Sequence, residues 1–226
     1  RRRQRQMCIR DRPFYEKKSV EKALRHTDLV LTLTQFSQKY VKRLNKNVVW
    51  CPNAVDLKEF QNIKKPKNFS NGKVKVIYVG SKKPHRGYEL WRKAVKELPN
   101  YIKVIEATSL PRSEVPKLIK SADIGVLPAP NNTHNLFSSF TKLFEYMAGG
   151  LAIVSTDLPS VREVAEGCVK FVEPNPKAIR EGIIELAQNP ERIRELSLKA
   201  LERVKKYTWE ERVKRVIRAA REVLQL

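Results

Sequence analysis

The chain has 226 residues, 41% of them hydrophobic, and a formal net charge of +22. That apolar share suffices for a core and excludes a globally disordered chain, while no apolar run approaches the roughly 18 residues of a membrane span. The charge points to polyanions, yet it is spread over helices without an aromatic-interleaved basic platform, which argues against nucleic-acid binding as the main role and leaves an anionic membrane surface as a candidate partner.

Residues 1–12, RRRQRQMCIRDR, have no hydrophobic period and read as a non-native or disordered leader. The piece MCIRDR resembles translated sequencing-adapter read-through, which would put an upstream part of the protein outside this chain. A helical run, Val20–His26, leads to a β-rich run, Asp28–Thr34. A helix over Gln35–Leu44, a strand over Val48–Cys51 and a turn at Pro52–Asp56 follow. Gln61–Lys73, rich in Lys, Asn and Pro, reads as a linker. Beyond it strands and helices alternate. Strands are predicted over Lys75–Val79, Tyr101–Glu106, Asp123–Leu127, Leu151–Ser155 and Val169–Val172. Helices are predicted over Gly87–Leu98, Ser113–Ser121, Ser138–Gly150 and Ser160–Glu166, and three more close the chain at Pro176–Gln188, Glu191–Lys206 and Trp209–Leu224.

Short β-branched strands alternating with amphipathic helices predict an α/β fold, a doubly wound, Rossmann-like parallel sheet. Ligands of such sheets bind beyond the carboxyl ends of the strands, here at 80–87, 107–110, 128–136 and 156–159.

The helix Ser138–Gly150 is the most informative stretch. At helical spacing Phe140, Leu143, Phe144, Met147 and Ala148 fall on one side, and Thr141, Lys142 and Glu145 on the other. Its first turn is expected to offer free N–H groups, the hydroxyls of Ser138, Ser139 and Thr141 and the Lys142 ammonium to a phosphate, with Glu145 one turn further in for a sugar hydroxyl. A surface helix with a Ser cap and a Lys142–Glu145 pair fits the same residues.

The loop Gly80–Gly87 is neither a dinucleotide fingerprint nor a P-loop. It nevertheless sets Lys82, Lys83, His85 and Arg86 at a helix start, where cations oppose the dipole. A bound diphosphate would account for them, as would a solvated basic loop. The loop 131–135, with His134 and Asn135, either hydrogen-bonds sugar hydroxyls or is a turn-rich connection. Asp157 and Glu163 read as a turn former and a helix-start carboxylate. His26, His85 and His134 lack metal spacing, so neither metal nor cofactor is expected. Cys8, Cys51 and Cys168 are scattered and odd in number, which suggests a reducing, cytoplasmic setting.

Several segments resemble one family in order. Asp28–Thr34 (DLVLTLT) is similar to its "adlvltvs" strand, and Val49–Asp56 (VWCPNAVD) with Phe60 to "vipNGVD…F". Tyr78–Gly87 is similar to "vGr…KG", and Ala122–Pro128 with Lys142–Asp157 to its donor-site core. Trp209–Glu211 resembles the start of the helix that crosses back to the family's N-terminal domain. Together they resemble the C-terminal half of a GT-B glycosyltransferase of family 4.

The resemblance implies four parts: the leader (1–12), a remnant of the N-terminal acceptor domain (13–50), a nucleotide-sugar-binding domain (51–207) and a closing helix (208–226). It implies a retaining, metal-independent transfer from a nucleotide-sugar donor to a glycan or lipid-linked acceptor, at the inner face of the cytoplasmic membrane. Arg86 and Lys142 would contact the diphosphate and assist its departure, and Glu145 would bind the ribose. Ser81, Lys83, Ser138, Ser139 and Thr141 would complete the site, backbone groups of 107–110 would hold the base, and His134 and Asn135 would face the sugar. The family's first-loop Arg is Ser81 here, so Lys82 or Lys83 would substitute. The first Glu of its E-x7-E pattern is Phe137. The acceptor domain would lie upstream, so this chain would bind donor without completing transfer. A donor-binding subunit of a two-chain enzyme and a basic nucleic-acid binder are the alternatives.

Overall fold

The computed structural model describes residues 14–61, 63 and 73–225. The expected leader and nearly all of the expected linker lie outside them.

Helix α1 (Phe14–His26) precedes a small sheet in which β1 (Val30–Thr32) and β2 (Val48–Trp50) pair in parallel around α2 (Gln35–Val41). The strand expected over Asp28–Thr34 is shorter because Thr34 leaves it to cap α2, in a capping box with Ser37. Asn45 ties the unit together, donating through Nδ2 to the carbonyls of Leu24 and Thr27 at 2.7 and 2.6 Å. A short helix, α3 (Lys58–Gln61), follows the Pro52–Asp56 turn.

The remaining elements, in chain order, are β3 (Val74–Val79), α4 (Tyr88–Val95), β4 (Ile102–Ala107), α5 (Val115–Ser121), β5 (Ile124–Leu127), α6 (Thr133–Leu136), α7 (Thr141–Gly149), β6 (Ala152–Thr156), α8 (Pro159–Ala165), β7 (Val169–Val172), α9 (Pro176–Ala187), α10 (Pro190–Val204) and α11 (Trp209–Leu224). Five strands form one parallel sheet in the order β4-β3-β5-β6-β7. Strands β5 and β6 are buried throughout, as apolar runs covered on both faces must be. One core, under α4 and α9, joins Trp91, Ile179 and Ile183 to Val76, Tyr78 and Val154. The other, under α5, α7 and α8, joins Ile119, Phe144, Met147 and Val161 to Ile77, Leu127 and Ile153. Helix α10 serves both, with Ile193 and Leu196 in the first and Ala200 and Val204 in the second.

Because β4 lies on one side of β3 and β5 on the other, the winding reverses between β3 and β5, and a crevice opens at their carboxyl ends. Two loops close against each other there. Gly87, at φ +75°, passes so near Pro128 that a Cβ would lie 1.8 Å from its carbonyl oxygen. No other residue fits.

Three expectations need correction. Helix α7 starts at Thr141 rather than Ser138, with Phe140 as a cap that makes no side-chain bond. The loop 128–136 contains α6, capped by Asn132. Glu163 does not serve its own helix: its Oε2 accepts from Gln35 N–H at 2.8 Å, at the amino end of α2. Burial raises its pKa to about 7, against the lowering pull of its bonds from Gln35 and Trp50.

Helix α11 returns to the segment 50–55. Val55 bridges Thr208, and Arg212 Nη1 donates to Pro52 O at 2.7 Å and Asn53 Oδ1 at 3.3 Å. No helix among the described residues is long and apolar enough to cross a membrane.

Candidate functional site

Helix α7 is seated between β3 and β5 by Tyr146. Those strands stop pairing after Ile77–Gly125, and beyond that point Val79 N–H donates to Tyr146 Oη at 2.8 Å. The ring lies where a Cβ on Gly125 would approach within 2.7 Å, so the glycine makes room for it. Lys142, in the first turn of α7, then comes against Gly80, the residue that follows β3.

A cleft of about 310 Å³ opens at this place. Gly80, Ser81, Arg86, Arg112, Lys142 and Glu145 line it, and Phe140 and Thr141 lie along its α7 side. Five of the expected site residues, Ser81, Arg86, Thr141, Lys142 and Glu145, therefore share one cleft. Since Phe140 supplies no cap, the first amides of α7 have no side-chain acceptor from it, and the end of a helix in that state attracts anions.

The expected outward polar face of α7 is not outward. Lys142 is 8% exposed and Glu145 4%. Lys142 Nζ has no hydrogen-bond partner and sits 4.1 Å from the centre of the Tyr78 ring, an energetically favourable seat for a cation. Gly80 is shaped by it: a Cβ there would lie 3.3 Å from Nζ. Burial above all, then the neighbouring Arg86 charge, brings the Lys142 pKa from 10.5 down to about 7, against the pull of Glu145. Lys142 Nζ thus lies in the cleft with no hydrogen-bonding acceptor of its own. Glu145 is bonded by Arg112 Nη1, and Arg112 Nη2 donates to Glu59 at 2.6 Å. Arg112 was not among the expected residues; its carboxylate partners lie on α3 and α7, far away in sequence.

Five expected residues stand outside the cleft lining. Ser138 Oγ donates to His134 O at 2.8 Å. Ser139 Oγ accepts from Asn53 N–H at 3.0 Å, and Ser139 O accepts from Asn53 Nδ2 at 2.7 Å. These hydroxyls brace the loop before α7 instead of capping the helix. Asn135 is fully buried and donates to His85 O and Pro130 O at 3.0 and 2.7 Å, strapping two loops together. His134 meets His85 edge to face at 4.7 Å, and burial foremost lowers the His85 pKa. Lys83 is exposed at the turn that opens toward Arg86. In the segment expected to hold a base, Ala107 O already accepts from Gly80 N–H at 3.1 Å, and Ser109 turns the chain at φ +60°. Among the described residues no cluster of three or more His, Cys, Asp or Glu is placed to hold a metal.

Chemically, a helix terminus, a guanidinium and an ammonium around one small cavity suit a diphosphate. A hydrogen bond to a charged group contributes about 1.5–3 kcal/mol and a helix terminus about 0.3–1 kcal/mol. The same contacts strengthen as negative charge develops on a departing diphosphate.

Residues 40–189 match the family described as glycosyl transferases group 1. No curated protein matches the chain. Solved structures do. Sucrose-phosphate synthase from Thermosynechococcus elongatus superposes with a TM-score of 0.75 at 16% identity, over 98% of this chain and 65% of that one. HepE of Anabaena, solved with UDP and glucose, superposes with a TM-score of 0.73 at 14% identity, over 93% and 66%. A glycosyltransferase from Rickettsia africae gives 0.69 at 13%, over 91% and 67%. The chain thus spans about two thirds of the length of these structures, and it shares their GT-B fold.

Proposed function

The chain belongs to the group 1 glycosyl transferases, and from that premise we propose that its cleft binds the diphosphate of a nucleotide-sugar donor and stabilises it as the leaving group of a glycosyl transfer. The observation that carries the reading is the convergence of Arg86, Lys142 and the open amino end of α7 on one cavity at the β3–β5 crevice. HepE supports it as a neighbour solved with UDP and with UDP-glucose. In this reading the two cations supply the positive charge without a divalent metal. Glu145 takes the ribose hydroxyls, and the sugar keeps its anomeric configuration, as in glycosyltransferase family 4. The acceptor is a glycan or lipid-linked sugar, presented by a domain beyond this chain at an anionic membrane face that the net charge of +22 favours.

The test is a thermal-unfolding screen of UDP-, GDP- and ADP-sugars, with EDTA present. At about 100 times its Kd, one of these donors should raise the midpoint by roughly 5–10 °C. Lys142→Met, which keeps the packing on Tyr78, should lower affinity by tenfold or more. A folded protein that responds to none of the donors, or whose response survives Lys142→Met unchanged, defeats the reading.

A further inference from the structure

The carboxylate best placed to receive a ribose is already taken. Glu145 has a side chain only 5% exposed, and Arg112, 53% exposed, bonds it from the solvent side of the cleft. A ligand entering from solvent meets the guanidinium before it meets the carboxylate. Arg112 also holds a second carboxylate, Glu59 at 2.6 Å, whose side chain is 35% exposed. A guanidinium has donors enough for both. Displaced from Glu145 it keeps an ion pair on Glu59, so its charge is never left without a partner.

We propose that Arg112 is a positioning residue acting through Glu145: it holds that carboxylate in the empty site and moves onto Glu59 when a ribose diol takes its place. This rests on the donor-binding reading above and adds to it a determinant of specificity. A ligand with a ribose must exchange the Arg112 pair for its own hydrogen bonds. An inorganic diphosphate needs no such exchange, because it engages only Arg86, Lys142 and the helix terminus.

Calorimetric titration of the whole chain can separate the two ligand types. The probes are UDP, GDP and ADP, the tightest of them in its 2′-deoxy form, and inorganic pyrophosphate as the ribose-free reference. The readout is the ratio of nucleoside-diphosphate affinity to pyrophosphate affinity, which cancels the loss of one positive charge from the cleft. In Arg112→Ala the ratio should rise roughly three- to tenfold, and discrimination against the 2′-deoxy form should grow. In Glu59→Gln, which removes the second berth and leaves Arg112 on Glu145, the ratio should fall. Both substitutions are at accessible side chains, and a merely structural role would move the ratio the same way in both or leave it unchanged. Either of those results overturns the proposal. Pyrophosphate binding by the unaltered chain with no nucleoside diphosphate binding would overturn the donor reading itself, and this assignment with it.

Discussion

Lys142 lies over the ring of Tyr78 with no hydrogen-bond partner, and the proposed donor binding turns on it. With its pKa near 7, the empty cleft loses that proton as the pH rises through neutrality, and a diphosphate pulls it back on. Donor affinity should therefore fall as pH rises above about 7, by up to roughly tenfold per unit until the pKa of the occupied site is reached. A nucleotide sugar is the suitable probe, since its diphosphate has no terminal phosphate to titrate. In Lys142→Met the profile over this window should be flat; a profile that keeps its slope assigns the proton elsewhere. The sequence made Lys142 and Glu145 visible through their places on one helix. It could not show that the side they share is buried, because a polar stripe is ordinarily a solvated one. Ser138, Ser139 and Asn135 were ambiguous for a related reason: short polar side chains suit a ligand and a neighbouring backbone equally well, and in the structure they bond to backbone.

Among the elements, α7 depends on a chain of contacts that begins on α11. Arg212 donates to Asn53, and Asn53 grips both the hydroxyl and the carbonyl of Ser139, two residues before the helix starts. Asn53→Ala removes the side-chain bonds and should cost about 1–3 kcal/mol, read as a lower urea midpoint. If the brace sets the helix terminus, donor affinity should drop as well. Destabilisation with unaltered affinity would reduce Asn53 to a packing role. The elements themselves were largely legible, since β-branched runs and helical spacing repeat with little ambiguity from β3 to α11. Their ends were less so. The true start of α7 follows from loop bonds to Asn53, 86 residues away, which no local pattern contains. Arg112 stayed hidden for the same reason, its partners lying 53 and 33 residues away.

For the whole molecule, two buried ionisable groups with opposite sign of charge meet at neutrality. Glu163 releases its proton near pH 7 in the folded chain against an ordinary 4.5, so its contribution to stability declines as pH rises from about 4.5 to 7. Lys142 has shed its proton by about pH 7 when folded but keeps it to 10.5 when unfolded, so its contribution grows from about 7 to 10.5. Urea titrations of the ligand-free chain should trace a minimum near pH 7. Glu163→Gln should flatten the acid limb and Lys142→Met the alkaline one, and a curve that neither variant changes would show that other groups govern it.

Trp91 gives these measurements a signal of their own. It is fully buried and stacked on Tyr78 at 5.8 Å and 21°, and Tyr78 is the ring that carries the Lys142 ammonium. Every gain or loss of that charge alters the electric field across the indole. Of the other two tryptophans, Trp209 opens α11 and Trp50 lies under Arg215 of the same helix. Their replacement by phenylalanine would leave one tryptophan, excited apart from the tyrosines, to report on the proposed site with no dye attached and no catalytic turnover required.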